Sequence, residues 1–329
     1  EYLTVKTAIL DQDNRKVINE EITSFIMQDS LAEIKQVFTV NDPVLWSVEK
    51  PYLYKAVTKI YTDKEINDSY ETVFGIRYFK FSSDKGFSLN GKPLKILGVC
   101  NHHDLGALGA AVNKRAIERR LEILKQMGCN AIRTAHNPPS PELLNLCDKT
   151  GFLVIDEAFD VWGKRKVKYD YHIDWEEWHK KDLQDMVKRD RNHPSVILWS
   201  IGNEIRAQFD STGIAITREL VNIIKELDTT RPVTCALTEN IPEKNFIYQS
   251  GSLDILGFNY KHEAYADFPE TYPGEILVAV ENMSALATRG HYDMPSDSIR
   301  RWPEASNISF TGNPDFTVSA YDHISAYWG

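Results

Sequence analysis

The spacing of apolar and polar positions changes character near residue 82. Before it, residues 2–8, 56–61 and 71–81 alternate apolar with polar side chains, the period of half-buried strands. Turn residues separate them at Asp11-Gln12-Asp13-Asn14, Asn41-Asp42-Pro43 and Glu49-Lys50-Pro51. Short strands at this spacing, with no helical stripe between them, predict a small antiparallel β-sandwich over residues 1–81. Nothing in that stretch has the spacing of a catalytic group.

Beyond residue 82 two periods take turns. Residues 87–94 predict a hairpin with Asn90-Gly91 as a type I′ turn. Strands are then expected over 95–99, 130–133, 152–155, 196–200, 233–236, 253–258 and 276–280, and helices over 116–127, 141–150, 175–190 and 212–227. The first helix carries Ile117, Leu121, Leu124 and Met127 on one stripe and ends at Gly128. The second has Ser140 as N-cap and Pro141 at its first position. The run Val196-Ile197-Leu198-Trp199 is apolar at every position, as in a strand buried on both faces. Alternating strands and helices predict a parallel sheet. The expected fold class is α/β: a (β/α)8 TIM barrel over residues 82–329, preceded by the sandwich. Only seven barrel strands can be counted where a closed barrel has eight, so the eighth is read as missing and the chain as a fragment.

Composition narrows the function classes. The chain has 329 residues, of which 42% are apolar and 26% charged, an ordinary globular balance. Its net charge of -9 argues against a nucleic-acid partner, which would need a basic face. No apolar run approaches the roughly 20 residues of a membrane span. The four cysteines, Cys100, Cys129, Cys147 and Cys235, form neither a Cys-x-x-Cys pair nor a zinc spacing. Cys100, Cys129 and Cys235 fall in apolar, strand-like segments and read as small buried hydrophobes.

Candidate chemistry lies just past the strand ends, which a barrel gathers on one face. Asn101-His102-His103-Asp104, Arg133 to Pro138, Asp156-Glu157, Asn203-Glu204, Asn259-Tyr260 and Glu281-Asn282 follow six of the seven strands. Two carboxylates from different strands, Glu204 and Glu281, suit retaining glycoside hydrolysis when about 5–5.5 Å apart: one protonated, one ionised. In this reading Asn203 hydrogen-bonds a sugar hydroxyl, Tyr260 donates to the nucleophile, and Arg133 stabilises its charge. His103 and His136 bind hydroxyls, while His102 points to the opposite side of the chain. Asp156 and Glu157 are supporting residues, as a second layer or as ion-pair partners of Arg133.

These residues carry a resemblance. Gly98-Val99-Cys100-Asn101-His102-His103-Asp104, Arg133-Thr134-Ala135-His136-Asn137-Pro138, Ile155-Asp156-Glu157-Ala158 and Trp199-Ser200-Ile201-Gly202-Asn203-Glu204 are similar to the barrel motifs of glycoside hydrolase family 2, in the family's order. The family holds β-galactosidases, β-glucuronidases and β-mannosidases. The resemblance implies Glu204 as acid/base, from its place in the Asn-Glu pair. It implies Glu281 as nucleophile, from the run Glu281-Asn282-Met283-Ser284-Ala285-Leu286-Ala287-Thr288-Arg289-Gly290. It also implies an immunoglobulin-like sandwich ahead of the barrel, matching residues 1–81. Within the family the motifs look most like β-galactosidases, with β-glucuronidase or β-mannosidase as alternatives. A carbohydrate-binding barrel without catalysis is the rival from another class. Some relatives hold magnesium beside the acid/base through a Glu and a His after the third strand. Here Asp156 to Gly163 is shorter and lacks that His, so no metal or other cofactor is expected. The partner expected is a carbohydrate substrate, with neither nucleic acid nor membrane, and a homo-oligomer is compatible with the sequence.

Overall fold

The computed structural model describes residues 2–25, 31–62 and 65–282. Four strands come first: β1 (Tyr2–Leu10), β2 (Lys16–Phe25), β3 (Tyr54–Thr62) and β4 (Glu65–Phe74). They form one antiparallel sheet in the order β2-β1-β3-β4, one layer of a sandwich. Alternation within β1 buries Val5, Thr7 and Ile9 on one face. The strand expected over 71–81 is divided. Its first part ends β4. Its last part, β5 (Phe79–Ser82), pairs with β6 (Gly86–Leu89), which pairs with β7 (Lys92–Pro93). Asn90 and Gly91 both take positive φ between β6 and β7, as a type I′ turn requires.

The barrel wall follows as β8 (Gly98–His102), α1 (Lys114–Gln126), β9 (Ala131–Ala135), α2 (Pro141–Thr150), β10 (Leu153–Glu157), α3 (Trp175–Asp190) and β11 (Val196–Asn203). It continues as α4 (Thr212–Leu227), β12 (Val233–Leu237), β13 (Leu256–Asn259), the short α5 (Phe268–Thr271) and β14 (Leu277–Glu281). The seven strands β8 to β14 form one sheet, neighbours in space being neighbours in sequence, and every pairing is parallel. The sheet curls until its two edge strands approach. The Cys100 thiol of β8 donates to the Val280 carbonyl of β14 at 3.2 Å. Between β8 and β14 a cavity of about 1720 Å³ opens into the barrel interior. The first barrel strand lies three residues later than expected, because the ladder to β9 begins at Gly98 opposite Ala131.

Two apolar layers hold the wall. Outward strand residues such as Ile132, Val154 and Trp199 pack on the helices with Leu121, Leu144, Leu183 and Leu220. Inward residues Ala131, Leu153, Ile155 and Ile197 pack on Phe87 and Leu89 of β6 and on Trp46, so the hairpin plugs the barrel floor. Arg77 locks the connection by donating to the carbonyls of Pro194 (2.9 Å) and Val196 (2.7 Å). The chemistry-bearing residues are thereby confined to the opposite, C-terminal ends of the strands. No described helix is long and apolar enough to cross a membrane.

Candidate active site

Arg133 is the centre of the strand-end face. It sits on β9, 3% exposed, and uses its whole fork. Nε and Nη2 donate to the two oxygens of Glu157 at 3.0 and 2.9 Å. Nη1 donates to Glu281 Oε1 at 2.7 Å, and Nη2 also reaches Asn203 Oδ1 at 2.8 Å. A planar guanidinium suits such divergent recognition. Burial opposes its charge, but the Glu157 and Glu281 carboxylates outweigh burial and hold it cationic. Glu157, fully buried on β10, also accepts from the Ser200 hydroxyl at 2.6 Å. His136 Nδ1 lies 2.8 Å from Glu157 Oε1. The carboxylate thus favours the Nδ1–H tautomer and leaves Nε2 facing Glu281 at 3.6 Å.

Glu281, at the end of β14, lies between two donors. Arg133 holds Oε1, and the Tyr260 hydroxyl donates to Oε2. Burial alone would raise its pKa, but the Tyr260 hydrogen bond and the Arg133 guanidinium together keep it below the usual glutamate range. The carboxyl is therefore ionised at neutral pH, as an attacking group must be. Tyr260 reaches it from a backbone of φ 53°, with its own N–H donating to the Glu281 carbonyl at 2.6 Å.

Glu204 stands in a different environment. It follows β11 with φ 46°, a left-handed turn that costs a non-glycine residue roughly 1 kcal/mol or more. Its N–H donates to the Ala236 carbonyl at 2.8 Å, which fixes the turn. Its side chain accepts from the neutral Asn259 amide at 3.1 Å, and among the described residues no cation pairs with it. The same Asn259 nitrogen donates to Asn203 Oδ1 at 3.0 Å. A continuous chain of contacts thus joins Glu204 to Glu281 through Asn259, Asn203 and Arg133.

The structure therefore brings together Glu204, Glu281, Asn203, Tyr260, His136, Arg133 and Glu157. Two expectations are corrected. Asp156 is not part of the cluster: successive strand residues face opposite sides, so Asp156 points away from Glu157. It is fully buried, and burial and the neighbouring Asp190 carboxylate raise its pKa well above the carboxylate range. His103 is also set apart. It lines a small pocket with Asn101, Arg120 and Asn137, whereas His102 packs edge-on against His136 with ring centroids 5.1 Å apart. β8 runs on through His102, which exchanges the two faces. Cys100, expected as an inert core residue, is half-buried instead, with Arg133 Nη1 3.4 Å from its sulfur.

Three contributors were not foreseen, Ser200, Asp160 and Lys166, and Asn259 was named at a strand end without a role. Asp160 accepts from Asn203 Nδ2 at 3.0 Å and from Lys166 Nζ at 2.7 Å, while Lys166 also donates to the Asn203 carbonyl at 2.8 Å. Asn259 was detectable from its place at a strand end beside Tyr260. Asp160 and Lys166 depend on loop geometry that spacing does not encode, whereas Ser200 lies within β11. Among the described residues, no three His, Cys, Asp or Glu side chains converge as a metal site. The donors beside Glu204, a neutral amide and a backbone turn, do not fit a magnesium centre. Residues 283–290 of the motif around Glu281 lie outside the described residues.

Comparison with known proteins places the fold in a family. Residues 82–283 match the family model for glycosyl hydrolases family 2, TIM barrel domain, and residues 1–77 match a second model of glycosyl hydrolases family 2. The chain belongs to glycosyl hydrolase family 2. It is 43% identical to the β-galactosidase BoGH2A of Bacteroides ovatus, over all of this chain and 42% of that protein. It is 37% identical to a putative β-glucuronidase of Formosa agariphila, over 77% of this chain and 23% of that protein. Among solved structures, a family 2 member from Bacteroides cellulosilyticus aligns with a TM-score of 0.83 and 41% identity, covering 87% of this chain and 36% of that one. The chain thus spans less than half the length of these relatives.

Proposed function

We propose that this chain carries the catalytic centre of a retaining β-glycosidase that removes terminal sugars, with Glu281 as nucleophile, Glu204 as acid/base and β-galactosides as substrates. The observation that carries the reading is the unequal setting of the two carboxyls. Glu281 lies between a guanidinium and a phenol, which hold it ionised. Glu204 has a neutral amide partner and, among the described residues, no paired cation, a setting unlike that of Glu281 and suited to the acid/base role.

In the first step a Glu281 oxygen attacks the anomeric carbon. The bond to the leaving oxygen breaks as Glu204 protonates it. In the second step a water attacks the same carbon, Glu204 takes the water's proton, and the bond to Glu281 breaks. Two inversions give net retention. Asn203 Nδ2 has a second N–H beyond the one given to Asp160, and that group can donate to a sugar hydroxyl. The choice of galactose rests on the relative that matches the whole chain, itself a β-galactosidase; a β-glucuronidase is the alternative, from other relatives. A panel of nitrophenyl glycosides with the full-length protein tests the sugar, and proton NMR of the first product tests retention. Turnover of the glucuronide alone would reassign the substrate. An inverted first product, or no turnover of any sugar, would reject the mechanism.

A further inference from the structure

We propose that the loop after β10 forms a subsite for an anionic leaving group, in which Arg165 and Lys168 bind a carboxylate or sulfate on the part of the substrate that departs. The inference rests on Glu204 being the residue that protonates the leaving oxygen, because that role sets the departing group on the Glu204 side of the cleft.

The loop contains Lys164, Arg165, Lys166 and Lys168, a cationic run in a chain of net charge -9. Two of the four anchor it beside the acid/base. Lys166 Nζ lies 2.8 Å from the carbonyl of Asn203, the residue before Glu204, and 2.7 Å from Asp160. Lys164 Nζ pairs with Asp210 at 2.5 Å, in the turn that follows Glu204. These anchors neutralise their own carboxylates. Among the described residues, Arg165 and Lys168 enter no ion pair, and both are exposed. Lys168 lies over the Tyr169 ring at 4.8 Å. That ring is 77% exposed, and Phe209, next to Asp210, is 57% exposed. Two cations without ion pairs, one of them against an exposed tyrosine, offer a leaving group both charge attraction and an apolar surface. A solvated charge run would need neither the two anchors nor the exposed rings.

The test uses the full-length protein and a matched pair of fluorogenic substrates, the 4-methylumbelliferyl and 3-carboxyumbelliferyl β-glycosides of whichever sugar the panel selects. A wrong sugar therefore fails the functional reading without deciding the subsite. At low ionic strength the kcat/KM ratio of the carboxylated to the methylated substrate should exceed its value in concentrated potassium chloride roughly two- to five-fold, the scale of exposed charge pairs, because salt screens exposed charges. In Arg165→Ala/Lys168→Ala the low-salt ratio should fall to the high-salt value of the wild type, and in Arg165→Glu below it. Both substrates are read on the same variant, so a folding loss lowers both rates and leaves the ratio intact. Disaccharides ending in a uronic acid or a sulfated sugar then show which anion is preferred. A wild-type ratio that does not change with salt, or a ratio the variants do not move, overturns the subsite. If no sugar is turned over, fluorescence titration with free 3-carboxyumbelliferone decides it: equal binding by wild type and the double variant also overturns the proposal.

Discussion

Arg133 donates to Glu281 from one side of its guanidinium while Glu157 grips the other with both oxygens. One buried cation therefore faces two carboxylates. That balance suits a reaction whose transition state gathers positive charge on the sugar ring. A single neutralising partner on Glu281 would instead cancel the charge the reaction needs.

The first prediction concerns pH. Glu281 is held below its ordinary range by Tyr260 and Arg133 acting against burial. In the proposed mechanism, protonation of Glu281 sets the acid limb of kcat/KM in the free enzyme. Removing either partner raises its pKa, so the limb must move to higher pH. Tyr260→Phe and Arg133→Met should both show this shift together with a loss of kcat. A limb that stays in place in both variants would separate Glu281 from the observed titration.

The roles of the two glutamates are separable by chemical rescue. Glu281→Ala should lower kcat by roughly 10³-fold or more, and azide entering the vacated space should give the α-glycosyl azide. Glu204→Ala removes the acid but leaves a nucleophile, so a substrate with a good leaving group should accumulate as the glycosyl-enzyme, and azide should then give the β-glycosyl azide. The anomeric form of each product, read by NMR, assigns each role. The same azide anomer from both variants would refute the assignment.

Local rules specified the helices better than the edges of the strands. α2 begins at the Ser140 cap and ends before Gly151, because those signals act within one turn of chain, and α3 and α4 span the residues expected although neither has a side-chain cap. β8 and the segment 71–81 depended on distant partners. Gly75 meets Pro194 at 2.8 Å from where a Cβ would stand, and Arg77 binds carbonyls of the β11 approach. Together these divide an evenly alternating run into two strands. The strand-end carboxylates were legible because a parallel barrel converts sequence order into a ring. The exchange of His102 for His103 was not, since a shift in where β8 ends reverses every side chain after it. Asp160 and Lys166 lie in a loop whose course follows from the pairs it makes with the end of β11.

Trp46 should behave as the fastener between the antiparallel region and the barrel. It is fully buried, and its indole N–H donates to the Asp148 carbonyl at 2.8 Å. Trp46→Ala should cost about 3–5 kcal/mol, as large-to-small core changes do. Trp46→Phe keeps most of the bulk and loses the hydrogen bond, so it should cost less. Denaturant midpoints for the two variants test the order, and equal losses would mean that the hydrogen bond rather than the packing dominates.

Asp156 is fully buried, and burial and then the Asp190 carboxylate raise its pKa well above the ordinary range. Asp190 is already committed to Arg189, with both contacts at 2.6 Å. The proton at this pair therefore resides on Asp156. Because the folded state binds that proton more tightly than the unfolded chain, its stabilising effect is complete below about pH 4, the unfolded carboxylate range. The effect is lost as pH rises through the raised folded value. Asp156→Asn keeps an N–H directed at Asp190 and cannot ionise. Its melting temperature should match wild type in acid and exceed it increasingly toward alkaline pH. Asp156→Ala leaves Asp190 without that donor and opens a cavity, so it should melt lower at every pH. Parallel wild-type and Asp156→Asn curves across the whole range would show that Asp156 does not titrate on unfolding.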